Sequence, residues 1–353
     1  MTAGAVAGRL EDPSHELWQP AAPYLDTASY GLPPRPAFEA VESALGDWRA
    51  GRIGWEHWDA STGRAREAFA RLVGVDARQV ATGATVSQLV GLLAASLPSG
   101  SRVVAPEVDF ASLLFPWLAH ADRGVEVATV PLDRLAEAVD ARTTVVAFSA
   151  VQSSSGEVAD LDAVTDAARR HGALVVVDAT QACGWLPLDA SRFDALVCGA
   201  YKWLMSPRGS SFLVVSDALL ARTRPLMAGW YAADDPRATY YGPPLRLAAS
   251  ARRLETSPAW FSWVGTAPAL ELLLELGVEA IHAHDVALTN RFRRGLGLPD
   301  GDSAIVTVDV PGARERLERA GIRASVRASS LRMSFHVYNS EADVDAALEA
   351  LAG

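Results

Sequence analysis

The sequence predicts an α/β fold built on a mostly parallel sheet with helices on both faces, and three observations carry that prediction. Short apolar runs at Arg102 to Ala105, Val125 to Val130, Thr143 to Ala150, Ala173 to Val177, Ala195 to Gly199 and Ser211 to Val215 alternate with helix-like stretches, the rhythm of repeated strand–helix units. The run Leu174 to Val177 is apolar throughout instead of alternating, as expected of a strand covered on both faces. The chain has 353 residues and is 50% hydrophobic, enough for a large core and two domains.

Bulk composition narrows the function classes. A net charge of −10 disfavours a general nucleic-acid or anionic-membrane binder, because neutralising phosphates requires a basic surface. No apolar run reaches the length of a membrane span, and Met1 to Arg9 lacks the basic and apolar regions of a signal peptide. The only cysteines, Cys183 and Cys198, lie in apolar surroundings, which suits a reducing compartment without disulfides. A cytoplasmic location is expected. His282 and His284 stand two apart and would diverge on a helix, so they read as solvated helix residues and no metal site is expected. Neither a Gly-rich loop ending in Lys-Ser/Thr nor a G-x-G-x-x-G after a strand supports nucleotide chemistry.

Taken in order, residues 1–23 read as an irregular arm, 24–244 as a large domain and 245–353 as a small α+β domain. Tyr24-Leu-Asp-Thr-Ala-Ser29-Tyr30-Gly31 makes a short strand and polar turn before Pro33-Pro34, either plain turn punctuation or a substrate-facing loop. Residues 36 to 73 read as helix, interrupted from Gly51 to Trp58. Thr82-Gly-Ala84-Thr85-Val-Ser87 opens an apolar helix; such small residues can wrap a phosphate at a helix N-terminus, or simply cap it. Phe110, between two strands, could stack on a planar ring or fill the core. Gln152-Ser153-Ser154-Ser155-Gly156 forms a polar loop at a strand end. Beyond Gly242-Pro-Pro244 and a basic run, a helix is expected over Ala267 to Leu276, and strands near Ala304 to Val310 and Ser330 to Phe335. Arg332 in the last of these has the right shape for a two-point grip on a carboxylate, or is a surface arginine.

The chemistry concentrates between Ala173 and Leu204. Asp178 ends one apolar strand and Lys202 follows the next, so both belong at the carboxyl edge of the sheet, where open α/β sheets bind ligands. An acid to hold a pyridinium nitrogen and a lysine to attach an aldehyde are what a pyridoxal phosphate (PLP) enzyme needs.

With Asp178, in Asp178-Ala-Thr-Gln181, placed 24 residues ahead of Lys202, in Tyr201-Lys202-Trp-Leu-Met-Ser-Pro-Arg-Gly209, and Gly83-Ala84-Thr85, Gly265-Thr266 and Arg332-Met-Ser-Phe-His-Val-Tyr338-Asn339 in order around them, the chain resembles the class V aminotransferases from Tyr24 to its end. That family includes cysteine desulfurases, kynureninase and isopenicillin N epimerase. The resemblance implies PLP fold type I: a seven-stranded mainly parallel sheet flanked by helices, plus a small C-terminal domain, in a homodimer with the active site at the subunit interface. It implies that Lys202 carries PLP and moves the Cα proton, that Asp178 pairs with the ring nitrogen, and that Gln181 bonds the ring oxygen. Phe110 would stack on the ring. Ala84, Thr85 and Tyr201 would bind the phosphate, joined by Thr266 from a neighbouring subunit. Arg332 would grip the substrate carboxylate, with Ser29, Tyr30 and Ser154 beside it. Ala200 stands where many desulfurases carry a phosphate-binding hydroxyl, which shifts weight onto Tyr201.

A desulfurase needs a nucleophilic cysteine in its C-terminal part, and no cysteine follows Cys198. The whole-chain pattern most resembles the PLP-dependent lyases of ergothioneine biosynthesis, which act on hercynylcysteine sulfoxide. The implied reaction expels the sulfur as a sulfenate, later reduced to ergothioneine, and leaves pyruvate and ammonia. A desulfurase-like or epimerase-like enzyme acting on another amino acid is the alternative. The trimethylammonium group of that substrate suits aromatic faces. At least two of Tyr30, Trp55, Trp58, Trp230, Tyr231, Trp260, Phe261 and Trp263, all in loop-like stretches, are therefore expected to line the pocket.

Overall fold

The structure is a computed structural model that describes residues 17–327 and 330–352. The arm expected over residues 1–23 thus lies mostly outside the described residues; in what remains, Trp18 is buried and donates from its indole to the Leu32 carbonyl (3.3 Å).

Two helices, α1 (Arg35–Arg49) and α2 (Trp55–Leu72), precede the first strand, β1 (Val80–Gly83). Then follow α3 (Val86–Ser96), β2 (Arg102–Pro106), α4 (Ala111–Leu118), β3 (Glu126–Val130), α5 (Leu135–Ala138), β4 (Val145–Ser149), α6 (Leu161–His171), β5 (Leu174–Asp178), β6 (Ala195–Gly199), β7 (Ser211–Val215) and α7 (Asp217–Leu220). The seven strands form one sheet in the order β1-β7-β6-β5-β4-β2-β3. Only β7 runs against its neighbours, so the sheet is mainly parallel, as the alternation of strands and helices predicts.

Residues facing opposite ways along one strand enter different apolar layers. Val175 and Val177 of β5 pack with Val146, Leu196 and Trp185, whereas Val176 packs with Val145, Val197 and Leu93. A strand buried on both faces cannot alternate with polar residues, which is why β5 is apolar throughout. The helices that cover it carry their own boundaries. Asp160 caps α6 by accepting from Ala163 N (2.9 Å), and Gly172 ends it in the left-handed region at φ 68°, with Arg169, Arg170 and His171 at the negative end of the helix dipole.

The C-terminal part comprises α8 (Trp260–Leu276), α9 (Val278–Gly295), β8 (Ile305–Val308), α10 (Ala313–Arg319), β9 (Ser325–Arg327), β10 (Ser330–Ser334) and α11 (Glu341–Ala352). Strands β8, β10 and β9 form a second, antiparallel sheet with β10 in the middle. Leu25, Phe292, Met333, Phe335 and Val344 make its core. The stretch at Tyr24 to Gly31 is stitched to this sheet: Leu25 N donates to Arg323 O (2.8 Å) and Ser334 N to Leu25 O (3.0 Å).

Two helix starts differ from the sequence expectation. Helix α2 begins at Trp55, so Trp55 and Trp58 lie in helix, and the break after α1 is confined to Ala50 to Gly54. Helix α8 begins at Trp260 instead of Ala267 and packs against α1 and α2. It is buried on most sides, and a helix that is apolar all round has no amphipathic stripe to read.

Gly31 shows how closely the stretch Tyr24 to Gly31 meets the chain just past β6. A Cβ placed on it would stand 1.9 Å from the Lys202 carbonyl oxygen, a backbone atom with nowhere to go. Gly31→Ala is therefore expected to destabilise the protein by about 3 kcal/mol or more, read as a drop in the denaturant midpoint; a midpoint unchanged from the parent would contradict this packing.

Candidate active site

The parallel strands place their last residues level with one another. Ser149 at the end of β4 pairs in register with Asp178 at the end of β5, and β6 ends at Gly199, three residues before Lys202. One cavity opens at this edge, lined by Asp178, Lys202, Gln181 and Tyr201 on its floor, Phe110 at one wall, and Ala84, Thr85 and Ser87 at the N-terminus of α3. Sequence separation of more than a hundred residues between Ala84 and Lys202 is thus closed by sheet order.

Each charged group here is shaped by burial. Asp178 is 4% exposed, and loss of solvent raises its pKa to about 6 despite the hydrogen bond it accepts from Thr180 N (2.9 Å). Lys202 is 6% exposed. Burial first, and the positive charge of Arg332 second, bring its pKa down to about 8, so a neutral amine is within reach near physiological pH. The Lys202 ammonium lies 5.4 Å from the Phe110 ring centroid and 5.8 Å from that of Tyr201. Phe110 is half exposed at the cavity, so it is not a core residue. Asp109 holds it there: its carboxylate accepts from Phe110 N (2.6 Å), Ser149 N (2.7 Å) and Ser149 Oγ (2.5 Å).

The anion-facing side is built from α3 and one arginine. Thr85 caps α3, accepting from Gln88 N (3.3 Å), while Ala84 N donates to Gln88 Oε1 (3.0 Å). Arg208 lines the same cavity and lies over the Tyr201 ring at 4.6 Å. Arg208 follows a proline in an apparently ordinary turn, so its local pattern does not single it out. Behind the cap, Glu255 is fully buried, pairs with Arg66 (2.9 Å) and accepts from Thr82 N (2.9 Å), tying the end of β1 in place.

Arg332 is 1% exposed and sits on the central strand β10, not on a surface edge. Its guanidinium donates to Ser153 O (2.5 Å) and Ser29 Oγ (2.7 Å), and Asp26 stands 3.7 Å away. Burial and the nearby Arg327 lower its pKa to about 10, and its Nε has no partner. A buried cation held mostly by neutral oxygens retains capacity for an anion. Arg327, also missed in the sequence, donates to the same Ser29 Oγ (2.9 Å); nothing in its local pattern distinguishes it from a surface arginine.

Several expected residues stand elsewhere. Thr266 is fully buried inside α8, its hydroxyl donating to Ser262 O (2.8 Å) with Ser210 Oγ 3.1 Å away. Ser154 does not line the cavity, whereas Ser153 does, accepting from Gln181 Nε2 (2.9 Å). Ser29 lines an adjoining depression with Asp26, Arg323 and Arg327. Tyr30 meets the site only through others, its ring 5.5 Å from Tyr201 and its hydroxyl accepting from Arg208 N (3.2 Å). None of the eight aromatics expected to form a cation-binding wall lines the cavity. They pack on one another instead: Trp55 on Trp230 (5.0 Å) and Trp260 (5.8 Å), Trp58 on Phe261 (4.9 Å), Trp263 on Phe212 (5.2 Å). Ring-on-ring burial between α2 and α8 outcompetes exposure at a pocket wall. His282 and His284 are engaged, not solvated: His282 stacks on Trp185 (5.7 Å) and His284 Nε2 meets Asn339 O (3.1 Å). Among the described residues no cluster of potential metal ligands occurs. Both cysteines are buried, and burial pushes the Cys198 thiol well up, which keeps it unreactive.

The profile described as Aminotransferase class-V matches residues 36–311, and the chain belongs to that family. It is 30% identical to isopenicillin N epimerase of Streptomyces clavuligerus over 99% of this chain and 100% of that one. Among solved structures, the Escherichia coli cysteine desulfurase CsdA superposes with a TM-score of 0.83 at 21% identity, covering 98% of this chain and 97% of that one. A variant of C-DES with glycine covalently linked to its PLP cofactor superposes with a TM-score of 0.86 at 22% identity, covering 98% of each chain. The fold is therefore PLP fold type I, and the family's cofactor is PLP.

The cavity fits that cofactor on its own terms. A buried lysine of lowered pKa can attach an aldehyde, a buried carboxylate needing a cation can hold a ring nitrogen, and an arginine beside a capped helix N-terminus can hold a phosphate. Capture of PLP should speed up as pH rises through about 8 and then level off, because the depressed Lys202 pKa makes the neutral amine the growing species; a rate followed by visible absorbance that falls across that range would contradict the assignment. Arg208→Ala should weaken PLP binding about tenfold or more while leaving pyridoxal, which lacks the phosphate, bound as before.

Proposed function

We propose that this class V chain is a PLP-dependent carbon–sulfur lyase that removes a sulfur leaving group from the β-carbon of an amino acid, with hercynylcysteine sulfoxide as its substrate. The observation that carries the reading is a cavity with Lys202 and Asp178 on its floor and no thiol in its lining. Cys183 and Cys198 are both buried, so sulfur leaving the substrate has no protein acceptor and departs with its own carbon skeleton.

Bound in this cavity, PLP supplies an electron sink for the charge that develops at Cα. In the proposed reaction Asp178, buried at the cavity floor, would hold the ring nitrogen in its protonated form. Lys202, with its pKa near 8, takes the Cα proton. Arg332, bonded to Ser153 at the cavity lining and to Ser29 in the adjoining depression, orients the α-carboxylate, and Arg327 reinforces that positive edge. Ala84, Thr85, Tyr201 and Arg208 would hold the phosphate and Phe110 would meet the ring, all five lining the cavity. Loss of the Cα proton and the Cβ–S electron pair to sulfur gives a sulfenate; the remaining three-carbon enamine takes up one water to give pyruvate and ammonia. Gln181 would reach the ring oxygen by exchanging its bond to Ser153 for one to the cofactor, since its amide nitrogen already donates to Ser153 and to Ala28 O (3.0 Å).

The proposed assembly is a homodimer. Phe38, Leu45 and Trp48 on α1, and Phe115 and Leu118 on α4, are exposed apolar side chains that a second copy would cover. No helix among the described residues is long and apolar enough to cross a membrane, which is compatible with the proposed cytoplasmic location.

A second reading has one observation in its favour: the match to isopenicillin N epimerase runs the length of both chains. An epimerase would exchange the Cα hydrogen with solvent and release no pyruvate. Incubation of PLP-loaded protein with the sulfoxide should yield pyruvate in proportion to sulfenate or thiol; deuterium incorporation without pyruvate would sink the lyase reading, and equal turnover of plain cysteine would argue for a broader lyase. Lys202→Ala should lose the yellow absorbance of the lysine-bound cofactor. Arg332→Ala should retain that colour and raise KM about a hundredfold; an unaltered KM would remove Arg332 from the carboxylate site.

A further inference from the structure

Behind the cavity floor lies a buried acid–base pair that the reaction above does not use. His336, just past β10, and Asp285, on α9, are both 0% exposed. His336 Nδ1 lies 2.9 Å from Asp285 Oδ2, and its Nε2 lies 3.0 Å from the carbonyl oxygen of Trp203. Trp203 is the residue after Lys202 and is itself fully buried. A carbonyl can only accept, so the imidazole must present a hydrogen on Nε2. The carboxylate serves the other side, either accepting from a hydrogen on Nδ1 or donating one to it; burial raises the Asp285 pKa, with His336 opposing, and either placement leaves Nε2 as the donor.

The Trp203 carbonyl has little freedom. Gly184, at φ 108°, backs it so closely that a Cβ there would stand 2.6 Å from the oxygen, and among the described residues His336 is the side-chain donor that meets it. The Trp203 indole in turn donates to Gln181 Oε1 (2.8 Å), and Gln181 lines the cavity. The His336 ring also meets the Trp203 indole edge-on, at 5.2 Å and 78°. One residue thus fixes the peptide beside Lys202 and the amide of Gln181 together.

We propose that Asp285 and His336 form a positioning pair for the cofactor lysine: Asp285 satisfies and orients His336 at Nδ1, and His336 Nε2–H holds the Trp203 carbonyl so that Lys202 and Gln181 stand together at the cavity floor. The pair touches neither cofactor nor substrate and acts through Trp203. The inference rests on Lys202 being the residue that carries PLP. It adds that the attachment point is braced from the C-terminal sheet, so the geometry of the cofactor lysine depends on docking of α9 and β10 against the large sheet.

The test uses the full-length, PLP-loaded protein. His336→Phe keeps the ring volume and removes both hydrogen bonds; it should raise the PLP dissociation constant about tenfold and shift the visible absorbance titration of the lysine-bound cofactor. Asp285→Asn can still satisfy Nδ1 with an amide hydrogen, leave Nε2–H on the carbonyl, and so stay within about twofold of the parent; Asp285→Ala should resemble His336→Phe. If His336→Phe folds and keeps the parent's dissociation constant and titration, the proposal is overturned. Should that variant fail to fold, nitrogen-15 NMR of the parent protein decides: a hydrogen on His336 Nε2 at neutral pH supports the pair, and a bare Nε2 overturns it. Failure of the parent itself to bind PLP would instead refute the cofactor assignment to Lys202, and the NMR result would stand apart from it.

Discussion

Asp178 and Lys202 are held out of water at the carboxyl edge of the sheet, and for each of them burial is the largest influence on its ionisation. The acid is driven toward its neutral form and so is the amine. The two groups relieve each other only in part, and burial remains the larger influence on both. Asp178 accepts from Thr180 N, while Lys202 faces the positive charge of Arg332. A ring nitrogen that carries a proton and an aldehyde that accepts an amine relieve both at once. The pocket is thus prepared for one class of ligand by the desolvation of two residues.

Holding two ionisable groups in that condition requires a rigid surround, and the fold supplies it by layers. Strands β4, β5 and β6 set the height of the floor through their parallel register. Asp109 fixes the Phe110 backbone and Ser149 with one carboxylate. Glu255 locks the end of β1 against Arg66. Buried carboxylates of this kind tolerate little change, since removing one partner leaves an unpaired charge or donor in a medium that cannot solvate it. The same reasoning applies to Asp285 and His336, which reach the site from the opposite side.

The arginines give the site its polarity. Arg208 stands at the end defined by the N-terminus of α3, and Arg332 with Arg327 at the end approached from the smaller sheet. An elongated anionic ligand with its reactive centre between them would lie across Lys202. None of the eight aromatics expected to face a quaternary ammonium group lines the cavity, so its recognition does not rest on those side chains within one chain.

What the sequence determined alone was the layered α/β fold and the pairing of Asp178 with Lys202. Both follow from local signals: an apolar run marks a doubly covered strand, and the residue after its end belongs at the ligand edge. The helix cap at Thr85 was legible for the same reason, being written in consecutive residues. Arg332 was legible as a candidate, but only its place on a central strand showed it to be buried. Tertiary structure alone decided the rest. Thr266 and the tryptophans around it read as loop residues because α8 is covered on nearly all sides and shows no periodic polar face. Arg327 and Asp285 carry no local mark, and Arg208, Ser153 and His336 stand inside marked stretches that do not show what each touches. Their roles arise from contacts between segments far apart in the chain, such as His336 with Trp203, and no window of sequence contains both partners.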